Sequence, residues 1–273
     1  MQFLNNDLKL RDIRALIIDI DGTLWRGSRP MPGLVRLFDL LHRYEIAFTI
    51  VTNNTVKTPA QVRQKLAQFG VTVPPAHVLT AATATAIYLS QNFKPGSSMY
   101  MIGESGLRQA LQEQGFTILD GPDQPAGVVV VGGDRALTYQ KLKDAIQLIQ
   151  RGADFVGTNP DLLVPAEDGL APEAGTTLAA IQAATGIRPT IVGKPEHILF
   201  DLAVERLGCP PSQIAVLGDR LETDILGGQR AGLQTILVTT GVDNEHSIPQ
   251  KGIYPALVVS HLDELIDAWQ SQF

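Results

Sequence analysis

One ten-residue stretch constrains the fold more than any other: Ala15-Leu16-Ile17-Ile18-Asp19-Ile20-Asp21-Gly22-Thr23-Leu24. An apolar run of this kind is typical of a buried strand. Because side chains alternate along a strand, Asp19 and Asp21 are expected to project to the same side, at the mouth of a sheet. Two carboxylates that close repel each other unless a cation or a shared proton separates them, and Mg²⁺ prefers oxygen ligands. An ordinary strand followed by an Asp-Gly turn is the alternative, and it does not account for Asp19.

The sequence on either side of this stretch alternates between strand-type and helix-type patterns. In the first section it predicts helices over 32–45 and 59–69 and a strand over 46–51. The last section repeats the pattern, with strands predicted at 189–192, 213–217, 235–238 and 256–259 and helices at 196–207, 223–231 and 261–270. This order predicts an α/β fold built on a parallel sheet with right-handed crossovers.

The middle section carries an α/β set of its own. A helix is predicted over 76–92 and a loop over 160–172. Between and after them the patterns predict strands at 99–102, 116–119, 127–131 and 154–157 and helices at 105–114, 139–151 and 173–185. A separate layer or domain is therefore expected between the two halves of the first sheet.

Four predicted strands each end in a polar side chain, and these are Asp19, Thr52, Lys194 and Asp219. In open parallel sheets, ligands bind beyond the carboxyl ends of the strands, so a single sheet would bring these groups together. Each has an ordinary alternative: Thr52 can belong to a turn, Lys194 to a solvated helix start, and Asp219 with Asp224 to a helix cap. Their recurrence at four strand ends favours phosphoryl transfer through an aspartyl phosphate.

In that chemistry, Asp19 is predicted to attack phosphorus. A carboxylate about 4 Å from a phosphate oxygen is repelled by roughly 4 kcal/mol per charge pair at an effective dielectric near 20, so positive charge is required. Mg²⁺ held by Asp19, the Asp21 carbonyl and Asp219 is predicted to supply it, together with the ammonium of Lys194.

Two further roles complete the predicted site. Thr52 and the Asn53 amide are expected to hold the remaining phosphoryl oxygens. Asp21 is expected to protonate the leaving group and later to deprotonate the attacking water.

The chain resembles the haloacid dehalogenase-like phosphatases in four motifs, which are Asp19-Ile20-Asp21-Gly22-Thr23-Leu24, Thr52-Asn53-Asn54, Gly193-Lys194-Pro195 and Gly218-Asp219-Arg220-Leu221-Glu222-Thr223-Asp224. The Thr-Asn-Asn motif and the large insertion before Lys194 resemble the NagD, or 4-nitrophenylphosphatase, branch. The resemblance covers nearly the whole chain, including Thr158-Asn159-Pro160-Asp161 and the approach to the third motif over 172–177.

This resemblance implies a fold and an activity. The fold would be a Rossmann-like three-layer core with a parallel sheet over 1–80 and 189–273, into which an α/β cap domain is inserted over 81–188. The activity would be Mg²⁺-dependent hydrolysis of a small phosphomonoester, such as a sugar phosphate, a nucleotide, phosphoglycolate or 4-nitrophenyl phosphate.

The resemblance also implies a role for each motif residue. Asp19 would be the nucleophile and Asp21 the acid/base; phosphate would be bound by Thr52, Asn53, Asn54 and Lys194; the metal would be bound by Asp19, Asp21 and Asp219, with Asp224 in support. One departure is Pro172-Glu173-Ala174-Gly175, where relatives usually carry Pro-Gly-Ala-Gly, at the return of the cap to the core.

The composition limits the classes of partner that the protein is expected to bind. The 273 residues are 44% hydrophobic, which allows a sizeable core. The net charge is −6, which gives no electrostatic reason to expect nucleic-acid or membrane binding. The resemblance to phosphatases implies a small phosphorylated metabolite as the partner. The single cysteine, Cys209, is expected to be a packing residue in a reducing compartment. No signal-peptide core occurs before Arg14, so a cytoplasmic protein is expected. A homodimer that forms through the cap is a separate expectation.

Three other functions match parts of the sequence. A receiver-type phosphoacceptor also uses acids, a threonine and a lysine, but needs about half this length. A dinucleotide-binding dehydrogenase would use the glycines at 103–106 or 132–133, but neither completes Gly-x-Gly-x-x-Gly. The third alternative is a non-catalytic phosphate-binding protein. Every catalytic position is filled in this sequence, which argues against that alternative.

Substrate selection is expected to come from the cap, because the predicted core groups all address the phosphoryl unit. Gly132-Gly133-Asp134-Arg135 follows a predicted buried strand, and the glycines allow a close backbone approach. Arg135 could pair with a second anion of the substrate. The alternative is a surface turn in which Asp134 and Arg135 face water.

Overall fold

The structure is a computed structural model that describes residues 2–3, 8–166 and 169–272. Its strands are β1 (Gln2–Phe3), β2 (Ala15–Ile18), β3 (Trp25–Arg26), β4 (Arg29–Pro30), β5 (Ala47–Thr52), β6 (Val78–Thr80), β7 (Ser98–Ile102), β8 (Thr117–Leu119), β9 (Val128–Val131), β10 (Asp154–Gly157), β11 (Leu163–Ala166), β12 (Gly169–Pro172), β13 (Thr190–Ile191), β14 (Ile214–Gly218), β15 (Gln234–Val238) and β16 (Leu257–Val259). Its α-helices are α1 (Leu34–Arg43), α2 (Pro59–Gln68), α3 (Ala81–Asn92), α4 (Ser105–Glu113), α5 (Tyr139–Gln150), α6 (Ala174–Thr185), α7 (His197–Leu207), α8 (Leu226–Arg230), α9 (Ser247–Lys251) and α10 (Leu262–Gln270).

Contacts divide the chain into two compact units. The first, which we call the core unit, contains residues 1–52, 59–79 and 194–273. The second, the inserted unit, contains residues 53–58 and 80–193. The domain bounds predicted from the sequence stay a prediction, and parts of the predicted core, residues 1, 4–7 and 273, lie outside the described residues.

The core unit is built on a seven-stranded sheet in the order β1-β16-β15-β14-β2-β5-β6. The strands from β16 to β5 run parallel, and β1 pairs with β16 in the antiparallel direction. The residues of β2 and β14 are all buried, as expected for central strands that are covered on both faces. This sheet confirms the predicted α/β fold class.

Helices cover the core sheet through apolar faces. In α1, Leu34, Leu37 and Leu41 are buried at helical spacing. They belong to the same hydrophobic cluster as Leu265 and Trp269 of α10. Burial of a leucine side chain of this kind stabilises the fold by about 1.5–3 kcal/mol.

The inserted unit has its own sheet, with strand order β13-β10-β9-β7-β8. Every neighbouring pair in it is parallel. The central strand β9 is four consecutive valines, all buried, and α5 and α6 contribute Leu148 and Leu178 to the cluster that packs against it. An α/β unit between the two halves of the core was predicted from the same alternation.

Two predicted elements in the middle section were wrong in detail. The helix predicted over 76–92 begins only at Ala81, because Val78–Thr80 forms the edge strand β6 and the Thr80 hydroxyl caps α3 by accepting the Thr83 N–H at 3.1 Å. The loop predicted over 160–172 contains an antiparallel hairpin of β11 and β12. Residues 167 and 168 of that loop lie outside the described part of the chain.

The core unit also differs from the sequence-based elements. The helix predicted over 223–231 is a π-helical turn over Leu221–Ile225 followed by the short α8. The hairpin of β3 and β4 and the helix α9 were not predicted. Across the residues that the structure describes, we find no helix of the length and apolar character that crossing a membrane requires.

Candidate active site

The two central strands of the core sheet place two acids side by side. Ile18 of β2 is in register with Leu217 of β14, and the Asp19 N–H donates to the Leu217 carbonyl at 2.9 Å. Asp19 follows β2 directly and Asp219 follows β14 directly, so both leave the sheet at its carboxyl edge. Both are buried, at 7% and 3% exposure. The topology therefore brings together two acids that are far apart in sequence.

Thr52 ends the strand on the other side of β2. It is the last residue of β5, which pairs with β2 in parallel, and it is buried. The structure thus places Thr52 at the same edge of the sheet as Asp19, as its position at a strand end predicts.

Lys194 begins the last segment of the core unit and supplies the positive charge of the cluster. The strand before it, β13, pairs with β10 in the other sheet, so the prediction that Lys194 ends a strand of the same sheet as Asp19 was wrong. It is 2% exposed, and its Nζ forms ion pairs with Asp19 and with Asp224, the latter at 2.6 Å. Burial by itself lowers the pKa of Lys194, but the two carboxylates outweigh it and raise the pKa above its ordinary value. The buried ammonium is therefore charged.

The π-helical turn holds Asp224 in the cluster. Asp224 Oδ2 accepts the Arg220 N–H at 3.2 Å and the Thr223 hydroxyl at 3.4 Å. Gly218 leaves room for it, since a Cβ there would lie 2.7 Å from Asp224 Oδ2. π-Helical turns of this type occur frequently at functional sites.

The carboxylate of Asp219 is held by the loop after β15. Its Oδ2 accepts the Val242 N–H at 2.7 Å, and its carbonyl accepts the Asp243 N–H at 3.1 Å. Gly22 packs against the other side with φ of +93°, and a Cβ there would lie 2.7 Å from Asp219 Cγ. A side chain at position 22 would therefore be strained by both its backbone and its contacts.

The charges of this cluster do not balance. Burial raises the pKa of Asp19, although Lys194 opposes the shift, and Asp224 and Asp219 raise it further. Burial also raises the pKa of Asp219 to about 7, with Asp224 acting in the same direction. Three acids and one lysine leave an excess of negative charge when all are ionised.

This donor set fits a divalent cation. Asp19, Asp219 and Asp224 each offer a carboxylate oxygen, and these atoms lie within 4.8 Å of one another. A hard cation such as Mg²⁺ prefers oxygen ligands, and its charge would offset the excess carboxylate. The Asp21 carboxylate is not part of this cluster, and the predicted role of the Asp21 carbonyl stays a prediction.

Asp21 lies in the turn that follows Asp19. The strand ends at Ile18, and the Leu24 N–H donates to the Ile20 carbonyl at 2.8 Å, which closes a turn around Asp21. Asp21 is exposed, and its Oδ1 accepts the Trp25 indole N–H at 2.9 Å. One carboxylate oxygen is thus fixed by a neighbour within the same turn.

Comparison with known proteins decides the family. A model described as haloacid dehalogenase-like hydrolase matches residues 16–117, and one described as HAD-hydrolase-like matches 191–265. An acid sugar phosphatase of Staphylococcus aureus is 39% identical over 94% of this chain and 98% of its own. The chain belongs to the haloacid dehalogenase-like hydrolases.

Solved structures agree with this assignment. A p-nitrophenyl phosphatase from Archaeoglobus fulgidus has a TM-score of 0.89 at 31% identity and covers 94% of this chain and 99% of its own. NagD from E. coli K-12 has a TM-score of 0.85 at 30% identity, with coverage of 92% and 98%. The family resemblance and its NagD branch are therefore confirmed, and this haloacid dehalogenase-like hydrolase is a phosphatase, a phosphoric monoester hydrolase.

The second motif is Thr52-Asn53-Asn54, and its last two residues belong to the inserted unit. Asn53 Nδ2 donates to Asp161 Oδ2 at 2.9 Å, and the Asn53 carbonyl accepts from Asn159 Nδ2 at 2.8 Å. Asn54 Oδ1 accepts the N–H groups of Val56 and Lys57, which closes a local turn. The phosphate-binding roles of Asn53 and Asn54 stay predictions.

Arg135 and Asp134 also lie in the inserted unit, and they behave differently from each other. The Asp134 side chain is only 2% exposed and pairs with Lys141 at 2.7 Å, so the alternative in which it faces water is wrong. The Arg135 side chain is 81% exposed, and its Nε lies 3.5 Å from Glu104 Oε1. Its guanidinium therefore faces solvent beside one carboxylate.

Glu173, the departure from the family pattern, packs against Gly133. A Cβ at Gly133 would lie 2.9 Å from Glu173 Cδ. Burial raises the pKa of Glu173, while hydrogen bonds from the Ala174 backbone and the Asn159 side chain oppose the shift. The larger residue at position 173 is accommodated because position 133 has no side chain.

Three supporting residues of the hydrolase site were not found from the sequence. Buried Asp243 accepts the Leu221 N–H at 2.8 Å and pairs with Lys251 at 2.8 Å, which anchors the π-helical turn. Trp25 supports Asp21. No sequence pattern near Asp243 or Lys251 indicates their role in supporting the site. The four-residue spacing between Asp21 and Trp25 is a pattern that could have indicated their contact.

Proposed function

We propose that this hydrolase cleaves small phosphomonoesters in a Mg²⁺-dependent reaction that passes through a phosphate ester on Asp19. The observation that carries the proposal is the buried Asp19 carboxylate at the end of β2, ion-paired with Lys194 and beside two further acids. A nucleophilic carboxylate can form an acyl phosphate only where the repulsion between it and the phosphate is offset. The charged Lys194 supports this requirement.

Asp19, Asp219 and Asp224 are the residues whose carboxylates would hold the metal, with the Asp21 carbonyl as a further proposed ligand. When bound, Mg²⁺ would neutralise phosphate charge and polarise the phosphorus centre. Hydrogen bonds to a metal ligand fix its orientation, and the Val242 and Asp243 N–H groups hold the carboxylate and the carbonyl of Asp219 in this way.

The remaining steps belong to side chains of the core unit. Asp19 attacks phosphorus while Lys194 and Thr52 stabilise the charge on the phosphoryl oxygens. Asp21 gives its proton to the leaving oxygen, so that the alcohol departs neutral. Asp21 then removes a proton from the water that attacks the phosphate ester on Asp19, and inorganic phosphate is released.

Sugar phosphates are the substrate class that we favour. The support is the name of the Staphylococcus aureus relatives, acid sugar phosphatase, at 39% identity over 257 residues. Nucleotides, phosphoglycolate and 4-nitrophenyl phosphate belong to the same class of ester. Turnover across a panel of these compounds would rank them, and a uniform rate on all of them would count against a sugar preference.

Activity assays test the proposed chemistry. Hydrolysis of 4-nitrophenyl phosphate should disappear on chelation and return with Mg²⁺, and the Asp19→Asn variant should be inactive. The Asp39→Asn variant, altered at an exposed helix position, should keep full activity. Rapid quenching followed by mass spectrometry should find phosphate on Asp19. Full activity after exhaustive chelation would contradict the proposed metal dependence.

The same experiments separate other functions. Stable phosphorylation of Asp19 without turnover would favour a phosphoacceptor, and phosphate binding without either would favour a regulatory binding protein. A homodimer through the inserted unit and a cytoplasmic location stay predictions; light scattering tests the first and fractionation of cells the second.

A further inference from the structure

Neighbouring side chains of the core unit hold the Trp25 indole in one orientation. Its side chain is 1% exposed, and its ring packs against Phe69 with a centroid distance of 6.1 Å. Lys65 Nζ lies 4.2 Å from the indole centroid and donates to the Gly27 carbonyl at 2.6 Å. An aromatic ring and a cation thus hold the indole in one orientation.

Backbone contacts also fix the position of Asp21 relative to Trp25. The Gly22 N–H donates to the Trp25 carbonyl at 2.7 Å, and Asp21 and Trp25 form an isolated β-bridge. The indole N–H then reaches Asp21 Oδ1 at 2.9 Å. Asp21 is exposed, so without this bond its carboxylate would rotate freely in water.

From this geometry we propose that Trp25 is a positioning residue for proton transfer: its indole N–H holds Asp21 Oδ1, so that Oδ2 alone carries and delivers the proton. The inference rests on the proposed function, in which Asp21 is the acid. As Asp19 bonds to phosphorus and the bond from phosphorus to the ester oxygen breaks, the proton on Asp21 Oδ2 passes to that oxygen. Oδ1 keeps the indole N–H in both protonation states.

The leaving group makes this role measurable. An alkyl phosphate releases a strongly basic oxygen that requires the proton, whereas 4-nitrophenyl phosphate releases an anion that is stable without one. The value of kcat/KM reports the steps up to departure of the leaving group. The ratio of kcat/KM for the alkyl phosphate to kcat/KM for 4-nitrophenyl phosphate therefore isolates the proton transfer.

The test compares Trp25→Phe with wild type on glycerol phosphate and on 4-nitrophenyl phosphate. Phenylalanine keeps an aromatic ring beside Phe69 and Lys65 but lacks the N–H. We expect kcat/KM for glycerol phosphate to fall by about 10- to 100-fold, as for other small misplacements of a catalytic group, and that for 4-nitrophenyl phosphate to change by less than about threefold.

Trp269→Phe is the matched control. Trp269 is also fully buried in the core unit, and among the described residues its Nε1 has no hydrogen-bond partner. It therefore reports the general cost of exchanging a buried tryptophan for phenylalanine, and it should leave the ratio unchanged. If Trp25→Phe does not fold, benzothienylalanine at position 25 keeps the fused ring, replaces the N–H by sulfur, which cannot donate, and gives the same comparison.

A second arm tests whether Trp25 acts through Asp21. In an Asp21→Asn background, Trp25→Phe should lower the ratio no further, because the proton donor is already lost. Equal losses on both esters, or an unchanged ratio, would overturn the role of Trp25 while the phosphatase chemistry stands. If wild type hydrolyses neither ester with Mg²⁺, the proposed function itself fails.

Discussion

In the metal-free protein, Asp219→Asn should raise the free energy of unfolding at pH 8 and change it little near pH 4. Asp219 is 3% exposed, and burial raises its pKa from the ordinary 3.8 to about 7. The folded protein therefore keeps a proton on this group across a range of pH in which the unfolded chain has released it. Asparagine is neutral in both states and removes that difference.

The sign and size of the effect follow from proton linkage. Between pH 4 and 7 the folded state binds more protons than the unfolded state, so stability falls as pH rises through this range. A shift of about 3 units corresponds to about 4 kcal/mol at about 1.36 kcal/mol per unit. This destabilisation is absent below the unfolded pKa and complete above the folded one, so the variant gains on wild type as pH increases.

Urea unfolding in the presence of a chelator, followed by tryptophan fluorescence, measures the effect. Both tryptophans, Trp25 and Trp269, lie in the core unit, so the signal reports the unit that contains Asp219. Asp39→Asn, at an exposed position, is the matched control and should track wild type at every pH. Excess Mg²⁺ should reverse the order, because it stabilises only a protein that binds it. A difference between Asp219→Asn and wild type that is the same at pH 5 and pH 8 would refute the reasoning.

Three further predictions concern single positions. Asp21→Asn should lower kcat on an alkyl phosphate by about 10²–10⁴-fold in steady-state assays, the usual share of general acid–base catalysis, and a rate near wild type would exclude that role. Gly22→Ala should lower the free energy of unfolding by about 1–3 kcal/mol and weaken Mg²⁺ binding in calorimetry, since a Cβ there would meet Asp219. Gly27 also has positive φ, but a Cβ there would meet no atom within 4 Å, so Gly27→Ala should leave Mg²⁺ binding unchanged. Arg135→Ala should raise KM for a substrate with a second anion, leave 4-nitrophenyl phosphate unaffected and change stability by less than about 0.5 kcal/mol, whereas equal losses on both substrates would indicate a structural role.

The parts of the site that sequence reasoning found are those encoded by local pattern. Asp19 and Asp219 each follow an apolar strand directly, and a parallel sheet brings the ends of its strands to one edge. The predicted projection of Asp21 to the same side as Asp19 stays a prediction, because side-chain alternation holds only while the backbone is extended. Extended structure ends at Ile18, and the following turn directs Asp21 to Trp25.

What the sequence did not reveal depends on contacts between distant segments. Asp243 anchors the π-helical turn through Leu221 and Lys251, and no spacing in the sequence connects these three residues. At residues 78–80 the helix-favouring alanines that follow masked a short edge strand, because propensity is weak evidence where tertiary pairing decides. Such elements exist only once their partners are in place.

The insertion has a consequence for the order in which the protein is made. Lys194 and Asp19 are 175 positions apart in sequence, and every residue of the inserted unit is synthesised before Lys194 leaves the ribosome. Units of this size generally fold as they emerge, N-terminal parts first. The inserted unit can therefore reach its fold on a nascent chain whose core sheet still lacks β14, β15 and β16. Asp19 therefore lacks Lys194, Asp219 and Asp224 until residues 194–224 have been synthesised, so a nascent chain that ends before them has no assembled centre with which to react.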